Sequence, residues 1–309
     1  MGEQHGQRKL AMLLPFVIIT DLRKMELAIE LILFGILMGL IFAFISLGLA
    51  LIFGVMNIVN FAHGEFLMVG MYVGLLTSTY LRLDPFLSLP IAAAMGFLLG
   101  IASYRLLIKD ILRGPMVAQL FGTFGLMLFL RYLAMFIFGP DIRTVSSGIL
   151  VGKSVSLGWV ALDLSKVVAA GLCLGLFVVV YWIINRTKLG RALRATSLDA
   201  EAARYMGIDT EKMNALAWGI GGATVGIAGG LLAHFYYITP TVGMVFILIA
   251  FATVALGGFG SISGTFIAGL IIGLIQVIGG QYLSELKFTF IYLTYFLTVV
   301  FRPRGLFGW

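Results

Sequence analysis

Short polar interruptions divide this chain into long apolar runs. Nine segments are predominantly apolar over roughly the length of a membrane span: 27–53, 61–81, 86–108, 116–139, 167–184, 213–237, 241–260, 264–281 and 288–301. A hydrocarbon core about 30 Å thick is crossed by about 20 helical residues, and a helix satisfies its own backbone hydrogen bonds where no water is present. The pattern therefore predicts an all-α, polytopic integral membrane protein with about eight to ten transmembrane helices. Residues 1–26 precede the first run as an N-terminal extension. They combine a basic start with an apolar middle but show no small-residue cleavage pattern, so they are read as lying at the membrane surface rather than as a signal peptide.

Two runs are interrupted internally, near 53–66 and near 256–265. The first carries Asn57, Asn60, His63 and Glu65 between apolar flanks, and the second carries Gly257, Gly258 and Gly260. Interruptions at corresponding places in two halves point to internal repeats and to a transport route. Polar groups buried without partners cost several kcal/mol, so the first cluster needs protein, water or ligand around it. Two readings stay open: the cluster lines a solute route or its gate, or it caps two helix ends at a turn on the cytoplasmic side. Arg131 is a charge within the run 116–139, and its nearness to the end of that run favours snorkelling toward the outer interface. Between Pro140 and Lys166 short polar and apolar pieces alternate, as an external loop with small elements of its own would.

Composition agrees with this picture. The 309 residues are 61% hydrophobic and 11% charged, against about 25% charged in soluble domains. The 39 glycines suit close helix packing. The net charge of +7 lies in short segments between apolar runs, which marks membrane topology rather than nucleic-acid binding. The longest of these, 185–212, carries Arg186, Lys188, Arg191, Arg194, Arg204 and Lys212 and is placed in the cytoplasm. Counting spans then puts Arg105, Lys109 and Arg113 inside, and Arg302 and Arg304 with the C-terminus inside as well. The basic N-terminus, with Arg8, Lys9, Arg23 and Lys24, falls outside, against the rule. The chain has one cysteine, Cys173, so no internal disulfide forms. It has no His-Glu-x-x-His pair, and its three histidines are scattered, so an intramembrane zinc enzyme has little support.

Within 185–212, Asp199 or Ser197 can start a short helix and Gly207 can end it. Such a helix presents Ala203 and Met206 on one side and Glu201 and Arg204 on the other, as a small docking knob; a merely solvated loop is the plainer alternative. Glu201-Ala202-Ala203, three residues and Gly207 match the Glu-Ala-Ala-x-x-x-Gly loop of ABC importer permeases. Together with Gly48-Leu-Ala-Leu-Ile-Phe-Gly-Val-Met-Asn-Ile-Val-Asn-Phe-Ala-His-Gly-Glu65, Gly190-Arg-Ala-Leu-Arg-Ala195, Ala255-Leu-Gly-Gly-Phe-Gly-Ser-Ile-Ser-Gly264 and Arg302-Pro-Arg-Gly-Leu-Phe-Gly308, the chain resembles the branched-chain amino acid ABC transporter permease family, in its shorter subunit type. The resemblance runs from about Leu27 to the end.

It implies a transmembrane permease domain over 27–309 in a bacterial-type inner membrane. It also implies a partner permease, with a heterodimer favoured, two cytoplasmic ABC ATPase subunits, and an extracytoplasmic solute-binding protein. ATP and Mg would sit on the partner subunits and no cofactor on this chain. Glu201, Ala202, Ala203, Arg204 and Gly207 become the ATPase-docking surface, while Asn57, Asn60, His63, Glu65, Gly257, Gly258 and Gly260 belong to the path or gate. After Gly207 the sequence Ile208-Asp-Thr-Glu211 replaces the family's usual hydrophobic-Leu-Pro ending. No Gly-x-x-x-x-Gly-Lys-Ser/Thr phosphate loop is present, so the chain is not itself the ATPase. The alternative is a secondary transporter driven by an ion gradient, with Glu65 or His63 carrying the coupling proton.

Overall fold

The computed structural model describes residues 2–308 except 83, 113, 146–147, 151 and 159, and the side chains of 2–23, 85 and 157 also lie outside the description. Arg113, used above for orientation, and the side chains of Arg8, Lys9 and Arg23 are therefore outside it.

Each of the nine predicted segments corresponds to a helix. These are α1 (Gly2–Met56), α2 (His63–Tyr80), α3 (Leu89–Ser103), α5 (Met116–Phe138), α6 (Leu164–Arg186), α9 (Thr210–Leu232), α10 (Val242–Gly257), α11 (Ile262–Tyr282) and α12 (Lys287–Phe301). Between α3 and α5 the chain passes through a π-turn, Tyr104–Ile108, and the short α4 (Lys109–Ile111). Among the described residues seven helices are long and apolar enough to cross a membrane, Lys24–Met56 of α1 being one. The two that fall short, α2 and α10, adjoin the two interruptions. Helix α1 is continuous through residue 26, so the predicted division between extension and membrane domain is not a break in secondary structure.

Residues 185–212 are also more ordered than a loop, holding α7 (Lys188–Leu198) and α8 (Ala200–Tyr205). The 140–166 region contains the one hairpin among the described residues, β1 (Ser154–Leu157) against antiparallel β2 (Val160–Asp163). Its last residue, Asp163, caps α6 by accepting from the Ser165 N–H. Arg143 exchanges backbone hydrogen bonds with Ile238 at 2.9 and 2.8 Å, tying this region to the α9–α10 connection.

Helix α9 is the hub of the bundle, and its glycines allow that. A Cβ on Gly96 of α3 would collide with the Gly222 carbonyl, and one on Gly70 of α2 with that of Gly226. Backbones this close gain dispersion contacts that larger residues would forbid, and lipid supplies no competing hydrophobic driving force. Helices α5 and α12 are the opposite case, with 22% and 11% of their apolar windows buried.

The basic segments gather at one end. Lys109 pairs with Glu211 at 2.5 Å, joining the α3–α5 turn to the start of α9. Arg194 and the C-terminal Phe307 line the same cleft. The end of α1 at Met56 lies there too, since Leu51 and Val55 pack with Leu193 of α7. The start of the Lys24–Met56 span therefore lies at the end opposite the basic segments, as counting spans predicts.

Candidate coupling and translocation sites

At the first interruption α1 ends on Asn57, whose φ of 55° is left-handed, a conformation asparagine tolerates better than most residues. Its N–H closes on the Phe53 carbonyl at 2.7 Å, and its side chain is exposed. The chain then turns back into the bundle. His63, the first residue of α2, donates from Nε2 to the Ile45 carbonyl at 2.9 Å. Ile45 precedes Met56 by 11 residues of helix, about 16 Å of rise. Helix α2 therefore starts deep within the span, and the six residues 57–62 have an extended reach of about 20 Å with which to climb there.

The climb is held by polar groups. Asn60 is buried and its Oδ1 accepts from Ala62 N–H at 3.0 Å. The Val59 carbonyl accepts from Thr123 Oγ1 of α5 at 3.0 Å. The first turn of α2 then meets four different helices with four consecutive residues. His63 bonds α1; Gly64 lies so close to Gly243 of α10 that a Cβ would collide with its carbonyl; Glu65 pairs with Arg131 of α5; Phe66 packs its ring 6.4 Å from that of Trp218 in α9.

Arg131 thus does not snorkel. Its Nε and Nη2 both donate to Glu65 Oε1, at 3.1 and 2.6 Å, with side-chain exposures of 12% for Arg131 and 1% for Glu65. Two buried charges satisfy each other inside the protein, where an extended arginine at the interface would leave Glu65 uncompensated. Asn57 ends a helix, Asn60 closes a turn, His63 bonds α2 to α1, and Glu65 pairs α2 with α5. Asn60 Nδ2, His63 Nδ1 and Glu65 Oε2 remain buried without a partner.

The second interruption lies at the basic end. Helix α10 stops at Gly257, and Gly258 and Gly260 take φ of 97° and 81°, which L side chains rarely adopt. Ser261 caps α11 by accepting from Gly264 N–H at 3.1 Å. The C-terminal tail returns to this turn: Leu306 N–H donates to the Leu256 carbonyl at 2.8 Å and Phe307 N–H to that of Gly257 at 3.2 Å. Gly305, itself at φ 75°, lies against Gly258 with no room for a Cβ on either. The two interruptions touch through Phe53 and Phe259, rings 4.6 Å apart, and through Gly54 and Gly260.

The coupling segment is fastened to the same end. Gly190 packs on the Ile184 carbonyl, and Arg194 Nη2 donates to the carbonyls of Ile184 and Asn185 at 3.0 and 3.1 Å, closing the end of α6. Asp199 caps α8 by accepting from Glu201 and Ala202 N–H, both at 2.9 Å. Gly207, at φ 80°, ends it: its N–H donates to the Arg204 carbonyl and Ile208 N–H to that of Ala203. Arg204 Nε donates to Thr210 Oγ1 at 2.6 Å, joining α8 to α9. The Lys212 side chain, bonded to Asp209 at 2.9 Å, holds that carboxyl below the usual carboxylate range.

One expectation is corrected here. Ala203 does not share an outward face with Met206; it is 4% exposed and faces inward, and its carbonyl accepts from the Ile208 N–H. The outward apolar residues are Leu198, Tyr205 and Met206, at 87%, 81% and 83% exposure. Leu198 lies outside the Glu-Ala-Ala-x-x-x-Gly signature and Tyr205 at one of its unspecified positions, so the motif singles out neither. Glu201, Ala202, Arg204 and Gly207 are exposed as expected.

Residues 31–300 match the family described as branched-chain amino acid transport system / permease component. The chain is 30% identical over 292 residues to the high-affinity branched-chain amino acid transport system permease protein LivH of Salmonella typhimurium (strain LT2), covering 89% of this chain and 93% of that one. It is 33% identical over 248 residues to the probable branched-chain amino acid transport permease protein LivH of Methanocaldococcus jannaschii, covering 78% of each. Among solved structures, PsaBC from Streptococcus pneumoniae in complex with Fab is similar with a TM-score of 0.49 and 12% identity, over 89% of this chain and 92% of that one.

Proposed function

The chain belongs to the branched-chain amino acid transport permease family, and on that premise we propose that it carries branched-chain amino acids through a bacterial-type inner membrane as one permease subunit of an ABC importer. The observation that carries this reading is the family match across 31–300, joined to the convergence of the 190–195, 255–264 and 302–308 motifs at one end of the bundle. Two ATPases bind ATP and Mg on the cytoplasmic side, a second permease completes the membrane pair, and a solute-binding protein delivers from outside.

The basic end, with the C-terminus, faces the cytoplasm. The exposed face of α8, with Glu201, Ala202, Arg204 and the Gly207 turn beside Tyr205 and Met206, seats the ATPase; Ala203 supports it from behind. Movement there has three routes into the membrane domain: through Arg194 to the end of α6, through Leu193 to α1, and through Arg204 and Thr210 to α9. Closure of the two ATPases on nucleotide shifts these helix ends as rigid elements and switches access from one side to the other. Phe61 touches both Phe124 of α5 and Phe251 of α10, and α12 packs on α10, so α5 and α12 flank an α10 face bearing the exposed Met244 and Leu248. That face, closed by the second permease, forms the solute route, with the first turn of α2 and the Gly257 to Gly260 turn as its moving parts.

The ion-gradient alternative asked Glu65 or His63 to carry a proton. Glu65 is committed to Arg131 and His63 to the α1 backbone, so no observation favours it. The test is purification of the chain with its accompanying subunits, reconstitution, and uptake of labelled leucine with ATP. Wild type transports with ATP; Gly207→Arg inserts normally but loses ATP-driven uptake. Normal ATP-driven uptake by that variant counts against the docking assignment, and uptake by the lone chain without nucleotide counts against the importer reading.

A further inference from the structure

Two cavities on the α6–α11 side of the molecule share walls and differ in chemistry. The larger, about 390 Å³, opens at the basic end beneath α7, and its polar lining includes Asn185, Arg194, Ser197, Ser261 and Ser263. The second, about 270 Å³, is a groove between α6 and α11 lined almost wholly by apolar atoms of Leu174, Phe177, Val178, Phe266 and Ile267. Tyr181 and Ser263 belong to both, so the polar cleft continues into the apolar groove.

Depth gives the pair its meaning. From Asn185 at the mouth to Leu174 in the groove, α6 descends 11 residues, about 16 Å into the span. Val178, Tyr181 and Ile267 on its walls are 56%, 43% and 40% exposed, so the groove opens toward lipid rather than into the bundle. A ligand filling both cavities has a polar head at the membrane surface and an apolar chain running inward along two helices. The head is anionic by charge complementarity. Arg186, Lys188, Arg191 and Arg194 are all exposed on the adjoining α6–α7 corner, and Arg194 reaches the cleft itself. The two bonds Arg194 makes to the α6 carbonyls use Nη2 alone, while a guanidinium carries five N–H donors.

We propose that this pair of cavities is a binding site for one anionic phospholipid, its phosphate among Arg194, Ser197 and Ser261 and an acyl chain between α6 and α11. The inference goes beyond the transport reading and rests only on the chain's placement in a membrane. Its consequence for transport is specific: the headgroup fills the space between α7 and the α10–α11 turn, so it stiffens the joint through which α7 acts on α6 and α1.

Native mass spectrometry of the full-length chain, purified with its accompanying subunits, delipidated and titrated with phosphatidylglycerol or phosphatidylcholine of matched chains, reads the site directly. Wild type retains phosphatidylglycerol over phosphatidylcholine by about fivefold per basic residue engaged, and Arg194→Gln loses that preference. Because Arg194 also closes α6, Ser263→Trp supplies an independent arm: it blocks the groove from an exposed wall and lowers retention of both lipids by about tenfold. Equal retention of the two lipids by wild type, or unchanged retention by Ser263→Trp, overturns the proposal. Displacement of the lipid by inorganic phosphate alone also overturns it, leaving a free-anion cleft. Lipid retention is read without ATP or solute, so failure of uptake and failure of this site are separate results.

Discussion

The two interruptions look alike as stretches of sequence and solve different physical problems. The one at 57–62 carries backbone into the depth of the span, where its polar groups are satisfied from within the protein. It is built from groups that bond: Asn60 to Ala62, Thr123 to Val59, His63 to Ile45. The one at 258–261 sits at the end of the bundle, where shape matters more than satisfaction. It is built from glycines at positive φ, and its last free carbonyls are taken by the backbone of the C-terminal tail. A break in the middle of a membrane protein is a polar junction, while a break at its edge is a close-packed one.

The largest expected effect tests the polar junction. Arg131→Met leaves Glu65 as an uncompensated buried charge and costs about 3–5 kcal/mol, read as a loss of thermal stability in detergent. Replacing both partners, as Glu65→Leu with Arg131→Met, removes both desolvation costs and recovers most of that loss. If the two single losses simply add in the double variant, the pair is not coupled and α2 is held to α5 by something else.

This pair also marks the limit of what the sequence makes legible. Apolar runs and their interruptions are local signals, so the helices, the two breaks and the basic end follow from the chain itself. The caps at Asp199 and Gly207 are equally local, and α8 begins and ends where those residues imply. The Glu65–Arg131 pair spans 66 residues, and nothing local distinguishes a paired arginine near a helix end from a snorkelling one. The same holds for the tail. Arg302 to Gly308 and Ala255 to Gly264 are each conspicuous glycine-bearing motifs, but only the fold places Gly305 on Gly258. The inward turn of Ala203 is a smaller case of the same kind, because which face of a six-residue helix is covered depends on the elements the fold brings beside it.

An intermediate effect tests the close-packed junction. Gly258→Ala places a side chain at φ 97° and against the tail backbone, costing about 1–3 kcal/mol locally. The strain is relieved by lifting the tail rather than by unfolding the bundle. Trypsin therefore cuts after Arg304 about tenfold faster in the variant, since the bond before Gly305 becomes accessible in proportion to the opened population. Unchanged cleavage with lowered overall stability would place the strain in α10 instead, and the tail would not be the seal of this turn.

The smallest effect comes from the one residue in the polar junction that the comparison says is there for shape. Asn57 has a left-handed backbone and an exposed side chain, and it bonds the Phe53 carbonyl through its own N–H. Glycine adopts that conformation at no steric cost, against a small residual cost for asparagine, but is more flexible in the unfolded chain. Asn57→Gly is therefore expected to change thermal stability by less than about 1 kcal/mol and to leave ATP-driven uptake near wild type. Asn57→Val, which cannot take a left-handed φ without strain, unwinds the end of α1 and pulls residues 58–62 out of register with Thr123 and Ile45. A large loss of uptake in the glycine variant, with stability kept, would mean that the Asn57 amide itself meets the solute, and the first interruption would then be a binding surface at its mouth as well as a junction in its depth.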